Sequence, residues 1–402
     1  MKICVIGSGI TGLTVAFQLS RHRHAEVVVY EREHHFGGRA DVASGGEHCP
    51  RFFMEDYSVL FDVLRQIDGH DGPTVFDDLQ LVRRFSRTSK GWVEISHLYR
   101  VLAREVPVRD RLRVLLDWRP SPLIAEPGLN ENRFASPRNY RPASIPQLLS
   151  SMLRSRKGYV FPGATDDYLI NPWVRHLEGR GVTFQPGTPV SRIRGEDGAV
   201  IVTCPSGETV YDAVVVTAFV PDTVNLLNAS KLDHTVVEMD HTHCVAYTMR
   251  LAPDEPVLDT DQPTFYCNGG VNVLVQPRYE RCVVLCTNTP RTDPGHVVGK
   301  VREILGLRGD VLDVRVRTNQ RPNEAVYAGE HLHADRLLRR AVPGVYFAGS
   351  AMRTGYPVDS AESAARSALA AVQQVRKHLG LLTPAPAVDC SMTDTASWGR
   401  AE

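Results

Sequence analysis

The sequence predicts an α/β fold, with a parallel sheet of buried strands and an inserted α+β region. Three observations predict it. First, the apolar run Lys2–Ile6 passes through Gly7, Gly9 and Gly12 into a helical stretch and on to a second apolar strand within about 30 residues, the length of a βαβ unit. Second, apolar strand-like runs recur at residues 213–217 and 345–348, in the middle and near the end of the chain. Third, the segments between these runs have a different character, which implies one domain assembled from separated pieces and a second built from the insertions.

Each element follows from its local pattern. Residues 2–6 read as a parallel strand buried on both faces, because the run is largely apolar rather than alternating. Residues 13–19 are small and apolar and read as a helix, and the Val-rich residues 26–31 read as the next strand. From about residue 51, Tyr57, Leu60, Val63, Leu64 and Ile67 recur at helical spacing. Helical and mixed segments continue to about residue 118. Residues 119–146 are Pro-rich and long for a connection within a compact domain. An access loop, an oligomer contact such as that of a homodimer, and a plain surface loop all fit them. Leu148, Leu149, Met152 and Leu153 begin an amphipathic helix, and residues 173–177 another. Residues 182–193 and 200–203 are strand-like. Residues 240–330 alternate strands with loops around one helix near 301–307. A final helix covers about 360–379, and residues 383–402 have the composition of a flexible tail.

These patterns divide the chain into a discontinuous nucleotide-binding domain (1–50, 156–235 and 331–382) and a substrate domain (51–155 and 236–330). The 402 residues are enough for both. Basic and acidic residues balance at 46 each, for a net charge of zero, which argues against nucleic acid or an acidic membrane surface as partner. The eight Cys are scattered without a CxxC pair, which argues against a zinc site or a disulfide framework and fits a reducing compartment. No apolar run approaches the roughly 20 residues that cross a bilayer. A cytoplasmic protein with a small-molecule substrate is the plain expectation.

The most informative motif is GxGxxG at Gly7, Gly9 and Gly12, with Ile10 and Thr11 between the last two. The first glycine permits the tight turn, the second lets a pyrophosphate approach the backbone, and the third lets helix and strand pack closely. The helix N-terminus then meets the phosphates with unpaired N–H groups and a favourable dipole. Glu31 lies nineteen positions after Gly12, where a carboxylate can accept from ribose hydroxyls. In this context the motif is the Rossmann-type dinucleotide fingerprint, but it does not choose between NAD and FAD.

The following residues do. Glu31, Gly37, Gly38 and Arg39 resemble the E-x5-GGR signature of the FAD-dependent amine oxidase and phytoene desaturase superfamily. Two glycines allow a loop to close over the pyrophosphate, and Arg39 can offset its charge. Residues 181–193 resemble that superfamily's middle segment, in which the residue matching Val190 contacts adenine through its backbone. Residues 345–357 resemble its closing motif, which is followed by a helix aimed at the flavin pyrimidine. Residues 354–357 and 170–177 look most like desaturase and dehydroxylase-type members that act on carotenoids or squalene. The resemblance implies a Rossmann-type FAD-binding domain with an inserted α+β substrate domain. It implies cofactor contacts at Gly7, Gly9, Ile10, Thr11, Gly12, Glu31, Arg32, Gly38, Arg39, Val190, Gly349, Ser350, Pro357 and Val358.

The chain departs from the pattern in places. Ser350 stands where the family usually has an acidic residue for the ribitol, and its hydrogen bond is neutral and weaker. Glu362 matches a family Glu, but with Asp359 it also forms a capping-box pattern, here taken as its main role. Amine oxidases proper carry a Lys near the flavin N5, on a strand expected near residues 242–250, and no Lys is found there. His331, His333 and Asp335, and Asp240, His241 and His243, have metal-like spacing, yet each group lacks the further ligands of a closed site. His48 and Arg51 come where the resemblance brings the chain near the flavin. Orienting a substrate, stabilising reduced flavin and forming a structural ion pair are all open to them. Arg51, Arg353 and Tyr356 are the catalytic candidates, the last two because they follow the final strand, where ligands gather in open α/β sheets.

The expected function is that of an FAD-dependent oxidoreductase (oxidase, dehydrogenase or desaturase) that removes a hydride from a C–H bond of a small or apolar metabolite. The alternatives are a non-redox flavin isomerase or dehydroxylase, a flavin amine oxidase, and a dinucleotide-binding protein without catalysis.

Overall fold

The structure is a computed structural model. It describes residues 1–43, 46–49, 51–94, 106–111, 157–235, 241–242, 244–268, 271–287, 293–319, 326–327, 334–356 and 359–381. The Pro-rich stretch 119–146, the helix expected from Leu148 and the tail 383–402 lie outside these residues. So do Pro357, Val358, Asp240, His243, His331 and His333.

A five-stranded parallel sheet is ordered Val345–Phe347, Ala213–Val216, Lys2–Ile6, Glu26–Tyr30 and Thr183–Gln185. Its apolar strands are buried on both faces by alternation. Ile3, Val5, Val27, Val29, Ala213 and Val215 share one core with helices α1 (Ile10–Leu19), α2 (Ser58–Leu64), α3 (Asn171–Gly179) and α6 (Ala361–His378). Cys4, Ile6, Val28, Val214 and Val216 share another with the antiparallel strands Arg192–Glu196, Ala199–Cys204 and Gly207–Tyr211 and with α4 (Val220–Ala229). Each fully buried Val or Ile contributes roughly 1.5–3 kcal/mol, so a continuous apolar run here is a stability requirement. The mixed α/β class is the one the sequence predicts.

Two local expectations change. The strand expected over 182–193 is two short strands, Thr183–Gln185 and Arg192–Glu196, belonging to different sheets. The break is a turn in which Gly187 takes φ +64° and the Thr188 N–H donates to the Glu31 carbonyl at 2.7 Å. The cap of α6 is also not the expected Asp359 and Glu362 pair. Ser360 and Ser363 cap one another reciprocally. Glu362 is fully buried and accepts from the Val59 and Leu60 N–H groups (3.2 and 2.9 Å), capping α2 instead. Asp359 is occupied by Arg39.

A seven-stranded sheet is ordered Val311–Asn319, Cys244–Leu251, Arg281–Thr287, Val271–Gln276, Thr264–Asn268, Arg83–Thr88 and Gly91–Glu94. Its pairings are antiparallel except the join between Thr264–Asn268 and Arg83–Thr88, where two distant parts of the chain meet. Helix α5 (Pro294–Leu305) covers one face through Val297, Val301 and Ile304.

Candidate functional site

A cavity of ≈ 1540 Å³ opens at the carboxyl ends of the parallel strands and extends to the seven-stranded sheet. Ligands gather at such strand ends in open α/β sheets. Three groups of residues line it.

The first group is the glycine turn and its surroundings. Gly7 (φ +105°) and Gly9 carry the chain from the first strand into α1. A Cβ at Gly12 would lie 1.9 Å from the Gly7 carbonyl oxygen, so only glycine lets helix and strand approach this closely. Gly12 itself is off the cavity wall, whereas Gly7, Ser8, Gly9, Ile10 and Thr11 are on it. Glu31 is 8% exposed and accepts from the Ser8 N–H (2.9 Å), the Ser8 hydroxyl (2.6 Å) and the Glu33 N–H (3.1 Å). These donors orient the carboxylate and leave part of its acceptor capacity for a ligand hydroxyl. Arg32 is tied to Asp222 of α4 at 2.8 Å, and both line the cavity with Val190.

The second group surrounds Arg39. Its guanidinium forks onto Asp359 (2.9 and 3.0 Å), donates to the Ser350 hydroxyl (2.6 Å) and lies over the Phe219 ring at 5.4 Å. Gly38, Gly349, Ser350 and Asp359 line the cavity beside it. Ser350, the departure from the family pattern, serves as an acceptor for Arg39, and Asp359 supplies the carboxylate nine residues later.

The third group is made by His48, Cys49, Arg51, Phe52 and Tyr57, with Val316, Arg317 and Thr318 from the edge strand of the seven-stranded sheet. Arg51 donates to the Arg39 carbonyl oxygen at 3.1 Å. Tyr57 is 6% exposed, and burial raises its hydroxyl pKa well above the usual tyrosine range, so it stays neutral. Arg317 is 3% exposed. It donates to the backbone oxygens of Asp41 and Gly46, the latter at 3.2 Å, and lies 3.6 Å from the Asp41 carboxylate.

Two catalytic candidates lie elsewhere. Arg353 is exposed and off the cavity wall. Tyr356 is buried behind Tyr57, edge-on at 5.7 Å, and donates to Asp56 at 3.0 Å. The expectation that both line the site is therefore corrected: after the last strand the chain turns Tyr356 into the helical core. Tyr57, Arg317 and Asp359 take places on the wall that sequence reasoning missed. Tyr57 carried only a helical-core signal, and nothing in its neighbourhood marks Arg317. Among the described residues, no group of three or more His, Cys, Asp or Glu is placed to hold a metal ion.

The residues present fit FAD. A Cβ at Gly9 would come no closer than 3.8 Å to another group, and one at Gly349 would have nothing within 4 Å, so both glycines leave backbone open to the cavity where a pyrophosphate needs to approach. The α1 N-terminus offers N–H groups and a dipole that such a charge would meet, and Glu31 keeps acceptor capacity that a ribose hydroxyl would use. The volume exceeds the roughly 300–1,000 Å³ typical of a drug-sized ligand site, leaving space beside a dinucleotide.

Comparison with known proteins agrees. An oxidoreductase from Methanosarcina mazei is similar in fold (TM-score 0.61, 16% identity, covering 93% of this chain and 100% of that one). So is cyclohexylamine oxidase from Brevibacterium oxydans IH-35A (TM-score 0.58, 12% identity, 94% and 99% covered). Glycine oxidase from Geobacillus kaustophilus is also similar (TM-score 0.51, 14% identity, 92% and 94% covered). No curated protein matches. The family model for FAD dependent oxidoreductases matches residues 2–356. The chain belongs to that family and is an FAD-dependent oxidoreductase.

Proposed function

We propose that the protein removes a hydride from a C–H bond of a small or apolar metabolite held between FAD and the seven-stranded sheet. One observation carries this reading: the cavity that begins at the glycine turn continues without a break to Phe52, Tyr57 and Val316–Thr318, side chains that the dinucleotide fingerprint does not need. Bound FAD supplies the two-electron acceptor for the hydride. Gly7, Gly9, Ile10, Thr11 and the α1 N-terminus would hold the pyrophosphate, with Glu31 on ribose and Val190 beside adenine. Arg39, oriented by Asp359, would complete the charge balance next to Gly38, Gly349 and Ser350. Phe52 and Tyr57 would exclude water and orient the substrate. Pro357 and Val358 keep their assignment on the resemblance alone.

We also propose the division into a nucleotide-binding domain (1–50, 156–235, 331–382) and a substrate domain (51–155, 236–330). Helix α2, within 51–155, shares its core with α1 and α6, so this part of the second domain is buried against the first. A desaturase-type rather than amine-oxidase chemistry is supported by the absence of Lys over residues 242–250. Cys4, Cys204 and Cys282, which form no disulfide among the described residues, support a reducing, cytoplasmic setting.

The purified protein is expected to be yellow, to release FAD on denaturation and to bleach anaerobically with its substrate. Absence of flavin in the released fraction sinks the cofactor assignment. Turnover without consumption of any electron acceptor favours the isomerase alternative.

A further inference from the structure

The far end of α1 gathers a cluster of cations. Arg376, in the last turn of α6, donates to the Gln18 carbonyl oxygen at 3.0 Å. Arg180, directly after α3, lies over the Phe17 ring at 5.6 Å, and His176 stacks on the same ring at 5.7 Å. Arg21 and His22 follow α1 itself. Three helices thus bring their C-terminal ends and these side chains to one turn of chain, residues 17–22.

The cluster differs from ordinary paired surface charges. Arg21, Arg180 and Arg376 form no ion pair among the described residues, whereas Arg32, Arg39, Arg281, Arg317 and Arg366 each hold one. The cations repel one another: burial and then Arg21 hold the Arg180 and Arg376 guanidinium groups below the usual arginine range. Burial, Arg376 and Arg21 lower His22 in the same way, and burial and Arg180 lower His176 against the opposing charge of Asp68. Nε2 of His22, Nε2 of His176 and Nε of Arg376 are buried with no hydrogen-bond partner among the described residues.

Helix dipoles do not absorb this charge. Each helix C-terminus is equivalent to roughly −0.5 of a unit charge, so the three ends offset only about half of the three guanidinium charges. The cations are confined to one turn rather than drawn out as a stripe. That suits a compact anion and not a nucleic-acid backbone, which carries a charge every ~1.7 Å of its axis. Guanidinium forks match phosphate oxygens bidentately. The cluster is also remote from the cavity, because α1 rises about 14 Å from Ile10 on the cavity wall to Leu19.

We propose that Arg21, Arg180 and Arg376 form a second site, at the C-terminal end of α1, for a small multivalent phosphate anion. The guanidinium groups donate to the phosphate oxygens, and the bound charge relieves their mutual repulsion.

The test uses the FAD-loaded protein, so that the place of the cofactor's own pyrophosphate is filled. Pyrophosphate and inorganic phosphate are titrated calorimetrically at constant ionic strength, with nitrate as the monovalent control and phosphatidylglycerol vesicles as a separate arm. Pyrophosphate is expected to bind with a stoichiometry near one and about 10-fold or more tighter than nitrate. Arg21 is exposed and its side chain makes no hydrogen bond among the described residues, so Arg21→Gln leaves the fold in place. It is expected to weaken pyrophosphate about 10-fold and to raise the melting temperature measured without anion, since it removes repulsion. Arg376→Gln should weaken binding similarly, and Arg308→Gln, at an exposed arginine just after α5, should not. FAD content and the visible flavin spectrum should stay unchanged throughout. No binding beyond that of nitrate overturns the proposal, as does binding that Arg21→Gln and Arg376→Gln leave intact. A lower melting temperature for Arg21→Gln assigns the charge to capping the helix ends and overturns it too. Binding to the vesicles without binding to free pyrophosphate overturns it in favour of a lipid surface.

Discussion

Gly9 and Gly12 stand three residues apart in one turn and meet opposite surroundings. A methyl group at Gly12 would collide with the Gly7 carbonyl oxygen, whereas one at Gly9 would enter the open cavity. The two substitutions are therefore expected to separate stability from binding. Gly12→Ala should destabilise even the flavin-free protein by about 1–3 kcal/mol, as overpacking does. Gly9→Ala should leave the flavin-free melting temperature nearly unchanged but weaken FAD binding about 10-fold or more, since its methyl occupies space the pyrophosphate needs. Paired thermal melts and FAD titrations check this, and equal losses of apoprotein stability would refute it. Glu362 provides a second residue-scale case. Burial pushes its carboxyl pKa up, against the two α2 N–H groups and Arg366, which favour the charged form. Glu362→Ala would orphan those donors and is expected to cost about 3 kcal/mol in urea denaturation, with Glu362→Gln recovering part of it.

At the scale of elements, residues 41–43 and 46–47 act as a strap between the two sheets. Arg317 grips the backbone at Asp41 and Gly46, and Arg281 grips Glu47. From the other side, the Val42 N–H donates to Asp166 at 3.0 Å and Thr165 holds Glu47. Asp166 opens a single π-helical segment, Asp166–Ile170, a feature frequent at functional sites. The strap leads directly to His48, Cys49 and Arg51, so its anchors position those side chains. Asp41→Asn and Arg317→Met are expected to be non-additive, with a coupling of about 2 kcal/mol in a double-mutant cycle. Additivity would remove Arg317 as an anchor. Burial pushes the Asp166 carboxyl up to about 6 from 3.8, with Asp41 and Glu47 adding to the shift and the Val42 N–H opposing it. The folded state then holds a proton that the unfolded state has released, so this group lowers stability as pH rises from about 4 to about 6. Asp166→Asn should raise stability at pH 7 by about 1 kcal/mol, a figure discounted for partial exposure, and have no effect below pH 4. Thermal melts across that range test the sign.

For the whole molecule, the cavity wall joins the parallel sheet, the α6 region and the edge of the seven-stranded sheet. A ligand that touches all three stabilises their arrangement together. At an FAD concentration of 100 times its Kd the gain is about 2.7 kcal/mol, so the flavin-free protein should melt several degrees lower and recover on adding FAD. An unchanged melting temperature with and without the cofactor would contradict binding at this cavity.

The buried strands were legible because their burial on both faces demands unbroken apolar runs, and the glycine turn because each glycine answers a steric need set within a dozen residues. Those constraints are local and carry the α/β class, while FAD rather than NAD rests on the resemblance of Glu31, Gly37, Gly38 and Arg39 to a family signature. Tyr57 was legible only as a helical-core residue, because periodicity reports that a face is buried and not what lies against it. Arg39 with Asp359, Arg317 with Asp41, and Glu362 with α2 join residues hundreds of positions apart, and charge alone does not say which partner is chosen. Sequence by itself determined the strands, the turn and the dinucleotide. Only the tertiary structure decided which arginines are compensated and which side chains face the cavity, because both depend on where separate segments meet.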